Sequence, residues 1–145
     1  ALEDENSWCG IIVDGFHVHP ASLKVAHQAK ATGKMVLVTD AMPSVGATDK
    51  NFMLNGELIR CERGKLSTAS GTLAGSDLDM LAAVKNTVEM VGIELEEAIR
   101  MASTYPAAMM GENKLGAIKV GYTASMVLID DDYKVVRSWI NGSEA

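Results

Sequence analysis

Cysteine is scarce in this sequence. Cys9 and Cys61 are the only two in 145 residues, and neither belongs to a CxxC pair or a Cys-His spacing. A disulfide framework, a zinc finger and a redox motif are therefore not expected, and both residues read as buried reduced thiols. Positive charge is also in short supply, with 13 Lys and Arg against 19 Asp and Glu for a net charge of −6. The basic residues are scattered singly, so no stripe exists to neutralise the phosphates of a nucleic acid or to sit on an anionic membrane. Long apolar runs are missing as well. Stretches such as Met35-Val36-Leu37-Val38 are strand-sized, far below the ~20 residues that cross a bilayer. The amino terminus, ALEDENSWCG, is acidic where a secretory leader is basic, and a cytoplasmic protein is expected. Internal repeats and low-complexity tracts are lacking too.

What is present is a core. The composition is 48% hydrophobic and the mean hydropathy is +0.09, enough for one ordinary domain and too apolar for disorder. Residues 10–13 (Gly-Ile-Ile-Val) read as a short strand apolar on both faces. Residues 22–32 carry Leu23, Val25, Ala26 and Ala29 at helical spacing, with Ser22 as N-cap and Gly33 as the stop. Residues 35–38 form a second buried strand closed by Thr39-Asp40. Strand, helix, strand is the parallel crossover unit.

Asn55-Gly56 between two apolar runs predicts a hairpin. Residues 70–76 (SGTLAGS) read as a small-residue loop entering a helix over 77–91. Two further helical pieces are expected at 94–103 and 104–110, with Pro106 near the start of the last. From Gly116 the character changes to strands at 125–129 and 135–140, separated by the solvated run Asp130-Asp131-Asp132. Two parallel strands cannot close a barrel that needs about 250 residues. The sequence therefore reads as part of a larger α/β fold whose remainder lies upstream.

Three groups of residues invite a chemical reading. Asp40 follows four apolar strand residues, the position at which a barrel presents catalytic groups. An ordinary turn-capping aspartate would look the same, and the residues alone leave both readings open. His17 and His19 are two apart and would share a face of a strand, as a metal-binding His-x-His pair does. Only His27 remains to add a ligand, which weighs against a metal and towards solvated or internally satisfied histidines. The Leu73-Ala74-Gly75 segment would let a ligand approach the backbone, but on its own it is a plain helix entry.

Taken in order, GIIVDGFHVHPASLKVAHQAKATGKMVLVTDAM, GTLAGSDLDML, LEEAIRMASTYPAAMMG and LGAIKVGYTASMVLIDDDYKVVRSWINGSEA resemble the N-acetylglucosamine-6-phosphate deacetylases of the amidohydrolase superfamily. The resemblance runs over essentially the whole chain. It implies an α/β fold in which residues 1–115 are the carboxyl-terminal part of a (β/α)8 TIM barrel and 116–145 the last strands of a flanking small β domain. The implied reaction is metal-dependent hydrolysis of the acetamide of N-acetylglucosamine 6-phosphate to glucosamine 6-phosphate and acetate.

By the same resemblance, Asp40 matches the family's proton-transferring aspartate. Asp14, Gly15, Phe16 and His17 match a substrate-binding segment with His17 donating to the sugar phosphate, and Leu73, Ala74 and Gly75 match a loop whose backbone meets the sugar. The family holds a divalent metal, zinc or iron, with a Glu and two His that have no counterpart here. The isolated chain is accordingly expected to be inactive, and the parent enzyme to be a homo-oligomer. The competing expectation is a non-catalytic phosphosugar-binding or partner-dependent module.

Overall fold

The computed structural model describes all residues from 1 to 145. A short parallel pair forms its centre: β1 (Cys9–Ile11) runs beside β2 (Met35–Leu37), with Ile11 opposite Leu37. All three β2 residues are buried, as their unbroken apolar run requires. In β1 only partial burial is reached, so the first fully enclosed side chain of that run is Val13, just past the strand.

Between them lies α1 (Pro20–Ala29), whose cap and first residue come three positions earlier than an N-cap at Ser22 implies. The difference has a local cause. Pro20 is preset for the first helical position, and the His19 Nδ1 accepts the Ala21 N–H at 3.1 Å, so His19 caps the helix rather than Ser22. At the other end the Lys30 ammonium, buried, donates to the carbonyls of Ala1 and Asp4 and to Ser7 Oγ, anchoring the amino-terminal segment.

An antiparallel meander follows: β3 (Phe52–Leu54), β4 (Glu57–Glu62), β5 (Lys65–Ser67) and β6 (Leu73–Ser76). The Asn55-Gly56 turn sits where the sequence predicts it, with both residues at positive φ. The segment read as a loop, by contrast, is strand β6 over its last four residues. Its small side chains carry no strand pattern, and its backbone is recruited from outside. β5 pairs with it on one side, and an isolated parallel bridge joins Ser76 to Ala41 on the other. A third chain segment thus runs parallel to the β1–β2 pair.

The expected helix over 77–91 is two pieces. α2 (Met80–Asn86) begins under an Asp79 cap whose carboxylate accepts the Ala82 N–H, and a π-helical turn (Thr87–Val91) continues to Gly92. α3 (Leu95–Ala102) and α4 (Thr104–Met109) complete the helices. Leu23, Met35, Leu37, Val84, Val91 and Met101 belong to one buried cluster with Val13. Each such side chain contributes roughly 1.5–3 kcal/mol relative to exposure.

No residue after Met101 is buried. The carboxyl-terminal sheet of β7 (Met126–Ile129), β8 (Val135–Ile140) and β9 (Ser143–Glu144) leaves Val127, Val135, Val136 and Ile140 exposed. Asp130 Oδ1 accepts the N–H groups of Asp132 and Lys134, so the first residue of the acidic run organises its turn. Cys9 and Cys61 are free, as expected, but only half-buried.

Candidate active site

Asp14 and Asp40 occupy equivalent places on neighbouring strands. Each lies three residues beyond a member of the Ile11–Leu37 pair, so both emerge at the carboxyl end of the parallel pair. The adjoining β6, parallel to the Ala41 segment, ends there too. Three chain segments thus bring candidate residues to one end of the sheet.

Asp14 opens a tight turn. Its Oδ1 accepts the N–H groups of Phe16 and His17, both at 3.0 Å, and its Oδ2 lies 2.6 Å from His17 Nδ1. The Asp14 side chain is only 5% exposed and that of His17 20%. Burial opposes ionisation of Asp14, but the two backbone donors and the imidazole outweigh it and hold its carboxyl below the usual value. Because Nδ1 is committed to Asp14, the nitrogen His17 can offer a ligand is Nε2. The Asp14 carboxylate is thereby engaged within its own turn, accepting from Phe16 and His17.

Gly15 stands at φ +80°, and a Cβ there would come to 3.0 Å from Met90 Cε. Phe16 is exposed, its ring beside Gly64 of the β4–β5 turn. His19 caps α1, and His27 lies on that helix, away from the strand ends. The histidines do not converge. No group of three or more His, Cys, Asp or Glu able to hold a metal ion exists in the chain.

Asp40 shares its strand-end placement with Asp14 but differs from it in exposure, backbone and bonding. It is exposed, its φ is +54°, and its carboxylate has no hydrogen-bond or ion-pair partner within the chain. Its backbone is held instead: the Asp40 carbonyl accepts the Ser76 N–H at 2.9 Å. Gly75, at φ +76°, passes so close that an added Cβ would overlap Met42 Cγ and stand 3.1 Å from the Asp40 carbonyl oxygen. Only glycine permits that approach. Leu73 and Ala74 are half-buried in β6, with Leu73 paired to Ser67.

Two contributors escaped sequence reasoning. Asn86 donates from Nδ2 to the Val13 carbonyl at 2.7 Å, fixing the chain just before Asp14. Ser76 ties β6 to the Asp40 turn. A polar side chain within an apolar helix was the only local sign of the first; the second had none. Beside Asp14 and Phe16 a cavity of about 260 Å³ reaches Arg63, Asp77 and Asn86. It is smaller than the ~300–1,000 Å³ usual for ligand pockets, so these residues present an open face.

Residues 3–144 match the Amidohydrolase family. The chain belongs to that family. It is 43% identical over 145 residues to a protein of Escherichia coli K12 provisionally named an N-acetylgalactosamine-6-phosphate deacetylase, a match spanning 99% of this chain and 86% of the relative. Identity is also 43% to the N-acetylgalactosamine-6-phosphate deacetylase of Escherichia coli O157:H7, across 99% of this chain but 38% of that one. In structure it resembles the N-acetylglucosamine-6-phosphate deacetylase of Pasteurella multocida, with a TM-score of 0.94, 36% identity, and coverage of 99% and 38%. This amidohydrolase chain therefore spans less than two-fifths of the length of the latter two proteins. No helix in it is long and apolar enough to cross a membrane.

Proposed function

We propose that this chain supplies the proton-transfer and substrate-holding side of a deacetylase acting on N-acetylglucosamine 6-phosphate. The observation that carries the reading is Asp40, a carboxylate with no internal partner, presented at the carboxyl end of a parallel strand on a backbone the fold holds in place. As a general base it takes a proton from the attacking water while the water oxygen bonds to the acetyl carbon. It then returns that proton to the amine nitrogen as the C–N bond breaks, leaving acetate and the amino sugar. His17, oriented by Asp14, offers Nε2 to the sugar phosphate, and Leu73-Ala74-Gly75 offer backbone to the sugar.

In this reading residues 1–115 are barrel strands and helices, 116–145 belong to a flanking β domain, and the working enzyme is a cytoplasmic homo-oligomer. The exposed apolar residues of β7 and β8 support the presence of a covering surface. The family's divalent metal, zinc or iron, does not fit the residues of this chain, which assemble no ligand group. A second reading concerns the sugar. The two most similar relatives described above carry the galactosamine name, which favours the C4 epimer as an alternative substrate.

The test is a chimera in which these 145 residues replace the matching segment of the Escherichia coli O157:H7 enzyme. Acetate release from both N-acetylhexosamine 6-phosphates is measured in zinc-supplemented buffer, beside the 145-residue chain alone. Turnover by the chimera with none by the separate chain is expected. A folded but inactive chimera overturns the deacetylase reading, and turnover by the separate chain overturns the assignment of the metal ligands elsewhere.

A further inference from the structure

We propose that Ser76 is the positioning residue of Asp40, setting the direction in which the base presents its carboxylate; this rests on the proton-transfer role assigned to Asp40. A residue other than glycine at φ +54° costs of order 1–3 kcal/mol and persists only where its surroundings over-determine it. The hydrogen bonds that hold the peptide units around Asp40 all involve one residue. Ser76 Oγ donates to the Thr39 carbonyl at 2.5 Å. The Ser76 N–H donates to the Asp40 carbonyl at 2.9 Å, and the Met42 N–H donates to the Ser76 carbonyl at 3.0 Å.

These bonds grip successive peptide units: Thr39–Asp40, Asp40–Ala41 and Ala41–Met42. The first two planes meet at the Asp40 Cα, and fixing both fixes the φ and ψ between them. The Cα–Cβ bond of Asp40 then has one direction. Ser76 can hold that direction because it is itself held. It is 1% exposed, and its hydroxyl, donating to Thr39, also accepts the Leu78 N–H at 3.1 Å. Its one donor and one of its two lone pairs are thus engaged, which ties the side chain to both neighbours. The preceding Gly75 makes the approach possible, since any side chain there would meet Met42.

Ser76 touches no reacting atom; its effect reaches the chemistry through the geometry of Asp40. Small misplacements of a catalytic group cost up to about 100-fold in rate. Removing the hydroxyl frees the Thr39–Asp40 plane, so the base should lose aim while the substrate-holding groups at His17 keep theirs.

Two measurements decide it. In the 145-residue chain, amide hydrogen exchange is followed for residue 76, Met42 and Val38, whose N–H bonds to the Ile11 carbonyl and reports on the strand pair. Ser76→Ala is expected to speed exchange at 76 and 42 by about tenfold, as a lost hydrogen bond allows, with Val38 unchanged. In the zinc-loaded chimera the same substitution is expected to lower kcat by roughly 10- to 100-fold, with KM within about twofold. Ser76→Cys, which keeps the size and a weaker donor, should fall between, and it carries both measurements if the alanine variant does not fold.

Unchanged exchange at 76 and 42, or unchanged kcat, overturns the proposal. So does a fall in kcat accompanied by equal acceleration at Val38, because that marks general destabilisation. If the unsubstituted chimera itself turns over neither substrate, the deacetylase reading fails, while the exchange data still decide whether Ser76 holds the Asp40 turn.

Discussion

The Asp14 and Asp40 turns lie side by side at the end of two paired strands and solve opposite problems. Asp14 commits its carboxylate to structure. Two backbone N–H groups and an imidazole engage both of its oxygens, and the ionised, nearly buried side chain folds its own loop and aims His17. Asp40 commits its backbone instead, holding a left-handed conformation against β6 while its carboxylate stays exposed and free. A carboxylate that already accepts three hydrogen bonds is a poorer proton acceptor, whereas a free one on a held backbone is available for chemistry. The pair shows how the same residue type, three positions beyond matched strand residues, becomes an orienting group in one case and a candidate base in the other.

That contrast can be broken most forcefully at Asp40. Asp40→Asn in the zinc-loaded chimera is expected to cut turnover by about 1,000-fold. It should leave the unfolding free energy of the 145-residue chain, measured by urea titration, within about 0.5 kcal/mol of the parent, since no internal bond is lost. A large stability change would mean that the carboxylate has a structural partner after all.

The reverse is expected at Asp14. Asp14→Ala removes three charge-assisted bonds and should destabilise the chain by roughly 2 kcal/mol at neutral pH, measured by denaturant titration. The sign with pH follows from the lowered folded-state value of its carboxyl. Its contribution is complete above the unfolded value of about 3.9 and is lost as pH falls through the folded one. The parent should therefore lose stability below about pH 4 more steeply than the Ala variant, and parallel acid limbs would deny Asp14 this role.

The smallest stability change sharpens the comparison. Asp40→Gly should raise stability by no more than about 1 kcal/mol, because relief of the left-handed strain is partly offset by the entropy of glycine. It should abolish turnover in the chimera at the same time. A loss of stability in thermal unfolding would show that Asp40 is not strained.

Much of this is legible in the residues themselves. The β1–β2 crossover, the Asn55-Gly56 hairpin, the helical core positions Leu23 and Val84, and Asp40 at a strand end all follow from local period and turn chemistry. Those signals are short-range, set by which face a side chain takes and which φ a residue tolerates. The rest depended on contacts between distant segments. Ser70 to Ser76 contains nothing that favours a strand, and β6 exists because β5 and the Asp40 turn lend it partners. Nothing near Asn86 announces that it will hold Val13, and nothing near Ser76 announces the Thr39 carbonyl.

The sequence by itself determined the residue types, the periodicity that buries β2, and the likeness that points to an amidohydrolase. The tertiary structure alone decided that the carboxylate of Asp14 is occupied and that of Asp40 free. The physical reason is that hydrogen-bond satisfaction belongs to places in space. Which donors reach a carboxylate depends on what the fold brings beside it, and sequence spacing carries that information only when the partners are a turn apart, as Asp14 and His17 are.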